Sequence, residues 1–100
     1  MESRVSEEVE TEEKSTDILL KALQLKSLEE IPKIEEDVAK RVIVILRVTP
    51  LAQKSIEELK GAVEQLYEFS TSIGGDMARL GEERIVITPP GVRIWRGSLS

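Results

Sequence analysis

The run Val42-Ile43-Val44-Ile45-Leu46-Arg47-Val48-Thr49, closed by Pro50, constrains this chain more than any other stretch. β-Branched side chains are stiff about χ1 and favour extended backbone, so a run this dense in them predicts a β-strand. Alternation sends Val42, Val44, Leu46 and Val48 to one face, and Ile43 and Ile45, with Arg47 and Thr49, to the other. Both faces are apolar for most of their length, so both need a cover. The rest of the chain supplies material for only one.

Thr16 to Leu25 reads as strand by the alternation of Ile18, Leu20 and Ala22, although Leu19, Ala22, Leu23 and Lys26 also fit helical spacing. Ser27-Leu28-Glu29-Glu30 has capping-box spacing, and Leu28, Ile31, Ile34 and Val38 continue at helical intervals. Pro32 either kinks that helix or begins it. Ser55-Ile56-Glu57-Glu58 repeats the cap, followed by a stripe of Ile56, Leu59, Val63, Leu66 and Ile73, widened by Ala52, Ala62 and Phe69. Gly74-Gly75 stops the second helix, because glycine readily takes the left-handed conformation of a C-cap. Asp76 to Leu80, a turn at Gly81-Glu82-Glu83, and Arg84 to Thr88 then predict a hairpin. Pro89-Pro90-Gly91 is a further turn, and Val92 to Trp95 could add one more strand. The element order is β-α-β-α-β-β, with a fifth strand optional.

Charge separates a tail from the rest. Met1–Ser15 carries six acids and two bases, so all but one unit of the chain's net charge of −5 lies there. Few apolar residues among those acids predict a disordered acidic tail over 1–15, a globular domain over 16–97 and a frayed end over 98–100. Met1, Val5 and Val9 would align on a helix, but anionic lipid would repel their acidic neighbours. The chain has no Cys and no His, which removes disulfides, thiolate metal sites and the usual general base near neutral pH. Neither part offers the basic field that a phosphate backbone requires, so nucleic acid is not an expected partner. No apolar run approaches the ~20 residues of a membrane span, and a cytoplasmic protein is the default expectation.

Several groups invite an enzyme reading. Glu29-Glu30 and Glu35-Glu36-Asp37 offer paired carboxylates, but they fall mainly on the polar side of a helix, where they stay solvated. Gly74-Gly75 opens no helix and has no following Gly-Lys, so it is a helix stop rather than a phosphate cradle. Asp76 beside it caps a turn, with no other acid at metal-loop spacing, so no metal or cofactor is expected. Trp95, between Arg93 and Arg96, is either rim packing or a partner anchor. Arg47, inside its Val/Ile run, is either bridged within the fold or a seat for an acidic group on a partner.

The segment Ser72–Pro89, SIGGDMARLGEERIVITP, resembles the signature of the SepF cell-division family, in particular its archaeal SepF-like branch. A helix ends in Gly-Gly-Asp, a basic strand closes with Leu-Gly, and a hydrophobic strand ends in Thr-Pro. With the upstream strand, Thr49-Pro50 and the helix after it, the resemblance spans roughly residues 17 to 96. It implies a small α/β sandwich that dimerises, binds the C-terminal peptide of the tubulin-like protein FtsZ, helps tether the division ring to the membrane, and has no catalytic activity. Arg79, Leu80, Ile85 and Ile87 are where it implies peptide binding, with Gly74, Gly75, Asp76 and Gly81 as helix stop and turns. This chain has Ile85 where many bacterial members carry an aromatic, and Glu68 where they carry a small residue late in the second helix. The family's N-terminal amphipathic anchor has no convincing counterpart in Met1–Ser15, which leaves membrane contact open.

The expected fold is therefore an α/β (α+β) two-layer sandwich: a mixed sheet with two helices on one face. Both helices fall on the same side if both crossovers are right-handed and the sheet grows in one direction. An open apolar face is rare on a soluble monomer. A homodimer packed sheet to sheet is expected, hiding on the order of 1,600 Å2, with Val42, Val44, Leu46, Val86, Ile94 and Trp95 assigned to that interface. The expected function is a non-enzymatic adaptor for the FtsZ tail, possible polymers included, recruited to the division site. The alternative is a dimeric regulatory module that senses a small ligand.

Overall fold

The computed structural model describes residues 17–97. The tail expected over 1–15 and the frayed end over 98–100 lie outside the described residues. Four strands and three α-helices follow one another: β1 (Leu19–Gln24), α1 (Ile31–Ala39), β2 (Val42–Arg47), α2 (Thr49–Lys54), α3 (Ile56–Ser72), β3 (Asp76–Leu80) and β4 (Arg84–Thr88). The sheet order is β1-β2-β4-β3. β1 runs parallel to β2, while β4 lies antiparallel to both β2 and β3.

Burial tells the two faces of the sheet apart. Val44 stands in register with Ile87, and Ile87 with Met77, so these three share a row. That row, with Val42, Leu46 and Ile85, is buried in one cluster with Ile31, Ile34 and Val38 of α1 and Ala62 and Leu66 of α3. Both long helices thus roof the same face, as two right-handed crossovers into a growing sheet require. On the other face Leu20 is exposed, while Ile43, Ile45, Val86 and Ala78 are half-buried.

The helix boundaries follow their caps. Ser55 Oγ accepts from the Glu58 N–H at 3.1 Å, satisfying one of the orphan donors that open α3. The first helix does it differently: Ser27 makes no cap bond, and Glu30 Oε1 accepts from the Lys26 N–H at 2.7 Å. The capping box has slipped by one residue, and a 3-10 turn over Leu28–Glu30 precedes α1, whose second residue is Pro32. Pro32 thus begins regular helix rather than kinking it, since its missing N–H is an orphan there anyway. Pro50, which closes the strand run, also sits in the first turn of the short helix α2, for the same reason. Val92–Trp95 does not form the optional fifth strand; it is an irregular strap.

Lys21 and Asp37 tie β1 to α1. Lys21 Nζ donates to Asp37 Oδ2 at 2.8 Å, and Lys33 Nζ stands 3.5 Å from Oδ1. The Lys21 hydrogen bond is the main reason that the Asp37 carboxyl is held below its usual range, against the opposing effect of burial.

Candidate partner-binding site

The geometry begins at the end of α3. Gly74 takes φ +80°, its N–H donating to Thr71 O at 3.1 Å, and the Gly75 N–H donates to Ser70 O at 2.8 Å. This paired closure satisfies the last carbonyls of the helix and turns the chain into β3. Gly75 is needed for a different reason. A Cβ there would collide with the Thr88 carbonyl oxygen and lie 3.3 Å from that of Pro89.

Asp76 then gathers the C-terminal strap. Its Oδ2 accepts from the Ile94 N–H at 2.9 Å and from Arg96 Nη1 at 2.9 Å; its Oδ1 accepts from the Met77 N–H at 2.9 Å and from Arg96 Nη2 at 3.1 Å. Arg96, followed by the Ile94 amide, holds the Asp76 carboxyl far below the usual carboxylate range, and Asp76 in turn raises Arg96. Arg96 Nη2 also donates to Met77 O at 2.7 Å, on the free edge of β3. Thr88 completes the knot: its Oγ1 accepts from the Asp76 N–H at 2.8 Å and donates to Val92 O at 2.6 Å. Asp76 and Thr88 stand in register, on the face away from the helices, so the strap is pinned across that corner of the sheet.

Arg79 lies two residues beyond Met77, which puts both on the helix side of β3. It lines a cleft of about 180 Å3 with Val48, Leu59, Val63, Ile85, Glu82 and Arg84. The walls are aliphatic, from β4, the end of β2 and the first half of α3; two arginines and one glutamate supply the charge. Such a cleft suits a short apolar segment that carries acidic groups, since apolar lining gives area and guanidinium gives orientation.

The expected peptide-site residues separate here. Arg79 and Ile85 share the cleft, Arg79 exposed and Ile85 only 5% accessible at its floor. Leu80 points to the opposite face, because alternation turns it away from Arg79, and it is 49% exposed. Ile87 is fully buried beneath the helices and cannot touch a peptide. The expected interface also needs correcting. Val42, Val44 and Leu46 are the row that the helices cover, so a second copy cannot reach them; the open row is Ile43 and Ile45, with Val86 in register beside Ile45. Ile94 is half-buried in the strap, and Trp95 is 77% exposed, so rim packing is not its role. Gly81, at φ +75°, makes the turn between β3 and β4. Leu59 and Val63 were legible only as members of the α3 stripe; that they sit at its edge, and so wall a cleft, needed the packing of α3 on β4.

Among the described residues no group of His, Cys, Asp or Glu could hold a metal ion, and no helix is long and apolar enough to cross a membrane.

The family model described as cell division protein SepF matches residues 20–94. A SepF-like protein from Archaeoglobus fulgidus superposes with a TM-score of 0.75 at 20% identity, over 83% of this chain and 99% of that one. One from Pyrococcus furiosus gives 0.73 at 25% identity, over 81% and 98%. Cell division protein SepF from Methanobrevibacter smithii, solved in complex with FtsZ-CTD, gives 0.68 at 23% identity, over 78% and 98%. No curated protein matches the sequence.

Proposed function

The chain belongs to the SepF family of cell division proteins, a family of adaptors rather than enzymes, and we propose that it acts as a homodimeric adaptor for the C-terminal peptide of FtsZ. The observation that carries this reading is the cleft between α3 and β4, where Arg79 stands over an aliphatic floor that includes Ile85. A hydrophobic peptide with acidic residues fits it in shape and charge, and the Methanobrevibacter relative was solved with FtsZ-CTD. Arg79 orients the peptide, and Val48, Leu59, Val63 and Ile85 hold its apolar side chains.

Dimerisation uses the face that the helices leave open. Ile43, Ile45, Val86, Ala78 and Leu20 form a contiguous apolar surface there. Covering it with a second copy hides on the order of 1,600 Å2 in total, the size of a stable interface. The two clefts lie on the outer, helix side of such a dimer, free to engage two FtsZ tails and so gather filaments at the division site.

Calorimetry with the FtsZ C-terminal peptide tests this. Binding in roughly the micromolar range is expected, weakened at least about tenfold by Arg79→Glu while the dimer persists in sedimentation. Absence of heat with an intact dimer overturns the reading.

A further inference from the structure

Arg47 plays no part in the peptide cleft. It stands in register with Arg84 of β4, so two guanidinium side chains leave the open face side by side where β2 ends and β4 begins. Like charges placed directly opposite in a sheet repel. Their counter-charge is incomplete: Glu83 Oε1 lies 3.6 Å from Arg47 Nε, within ion-pair range but too far for a hydrogen bond. Nε itself is buried and makes no hydrogen bond among the described residues. The Arg47 side chain as a whole is 40% exposed, and an oxyanion in the cleft would give this donor an acceptor.

The two arginines line a cleft of about 230 Å3 together with Gln24, whose amide adds donors, and Ala22, Leu23 and Ile45. That volume leaves room for one tetrahedral or planar anionic group with a small substituent. The donor fork of a guanidinium matches the paired oxygens of a carboxylate or phosphate, and two forks on facing strands can hold one anion from both sides. We propose that the cleft between Arg47 and Arg84, the last rung of the β2–β4 pairing and so at the end of the face that the second copy covers, is a binding site for a small oxyanion, a phosphate- or carboxylate-bearing molecule. Arg84 also lines the peptide cleft, so the two sites share a wall.

The test titrates inorganic phosphate into the nitrogen-15-labelled full chain, follows the arginine Nε–H signals, and uses sodium chloride at matched ionic strength as the control. Saturable shifts at Arg47 and Arg84 that chloride does not produce are expected. They should need about tenfold more phosphate in Arg84→Gln, the loss of one charge-assisted hydrogen bond. Arg84 is exposed, and circular dichroism checks that the variant keeps its fold. Shifts that never saturate, or that appear equally at Arg79 and Arg93, reveal simple screening and overturn the site. Titrations run where sedimentation shows a single dimeric species, and absence of the shifts in that dimer also overturns the site, because the second copy then covers it.

Discussion

Gly74 and Gly75 are neighbours that require glycine for unrelated reasons, and alanine at each separates those reasons. At Gly74 the backbone is left-handed, and nothing lies within 4 Å of an added Cβ. Gly74→Ala therefore costs only the conformational penalty, about 1 kcal/mol. At Gly75 the added carbon meets the carbonyl of Thr88, a main-chain atom that cannot rotate aside. Relief means drawing the start of β3 away from β4, which strains the 2.8 Å bond from the Asp76 N–H to Thr88 Oγ1. Overpacking costs about 1–3 kcal/mol and a weakened hydrogen bond about 1 kcal/mol more, so about 3 kcal/mol is the central expectation. In a domain of this size each kcal/mol lowers Tm by about 4–8 °C. Thermal melts should thus fall by about 5 °C for Gly74→Ala and by about 15 °C for Gly75→Ala. Both variants must be compared at one protein concentration, because association shifts the midpoint. Equal losses, or a larger loss at Gly74, would refute the claim that backbone proximity to Thr88 is what holds Gly75 in place.

A lysine on either row of β2 reports which face is covered. Ile45→Lys should give a folded monomer by sedimentation and circular dichroism, whereas Val44→Lys should not fold, since it buries an unpaired charge under both helices; a folded Val44→Lys protein would contradict the assigned core. Asp37 and Asp76 are both held below their ordinary carboxyl range. Their contribution to stability is therefore complete above about pH 4, the ordinary Asp range, and is lost as pH falls through their lower folded values. Asp76→Asn should flatten that acid limb and speed hydrogen exchange of the Ile94 amide at neutral pH; an unchanged exchange rate would mean that the strap is held by other contacts. Lys21→Ala should cost about 1 kcal/mol in urea titrations, less than a buried charged bond because Lys21 is partly solvated and Lys33 remains near Asp37. A loss above about 3 kcal/mol would make the pair a core element rather than an edge tie.

The elements were legible because Val/Ile density and capping residues are local signals. Val42–Arg47 and Arg84–Thr88 declare themselves as strands, and Ser55 with Gly74 brackets α3. The row of β2 that faces the helices was harder, because both rows are aliphatic. The polar residues Arg47 and Thr49 continue the Ile43–Ile45 row and mark it as the open one, a signal that the apolar run outweighed. The strap was illegible for another reason. It is held chiefly by the Asp76 carboxylate reaching backbone and guanidinium donors eighteen and more residues away, together with Thr88 Oγ1, and periodicity carries no trace of such bonds. Ile87 misled because it shares one face of β4 with Ile85, two residues away; only the helices above it show that it lies too deep.

The strand order carries a consequence for how the chain is made. β4, the last strand in sequence, lies between β2 and β3 at the centre of the sheet. Until Arg84–Thr88 has emerged, β2 keeps an unpaired aliphatic margin and β3 has no strand neighbour. Long-range closure of this kind is slow and leaves sticky edges exposed meanwhile. A nascent or truncated chain that stops short of Thr88 is thus an aggregation hazard.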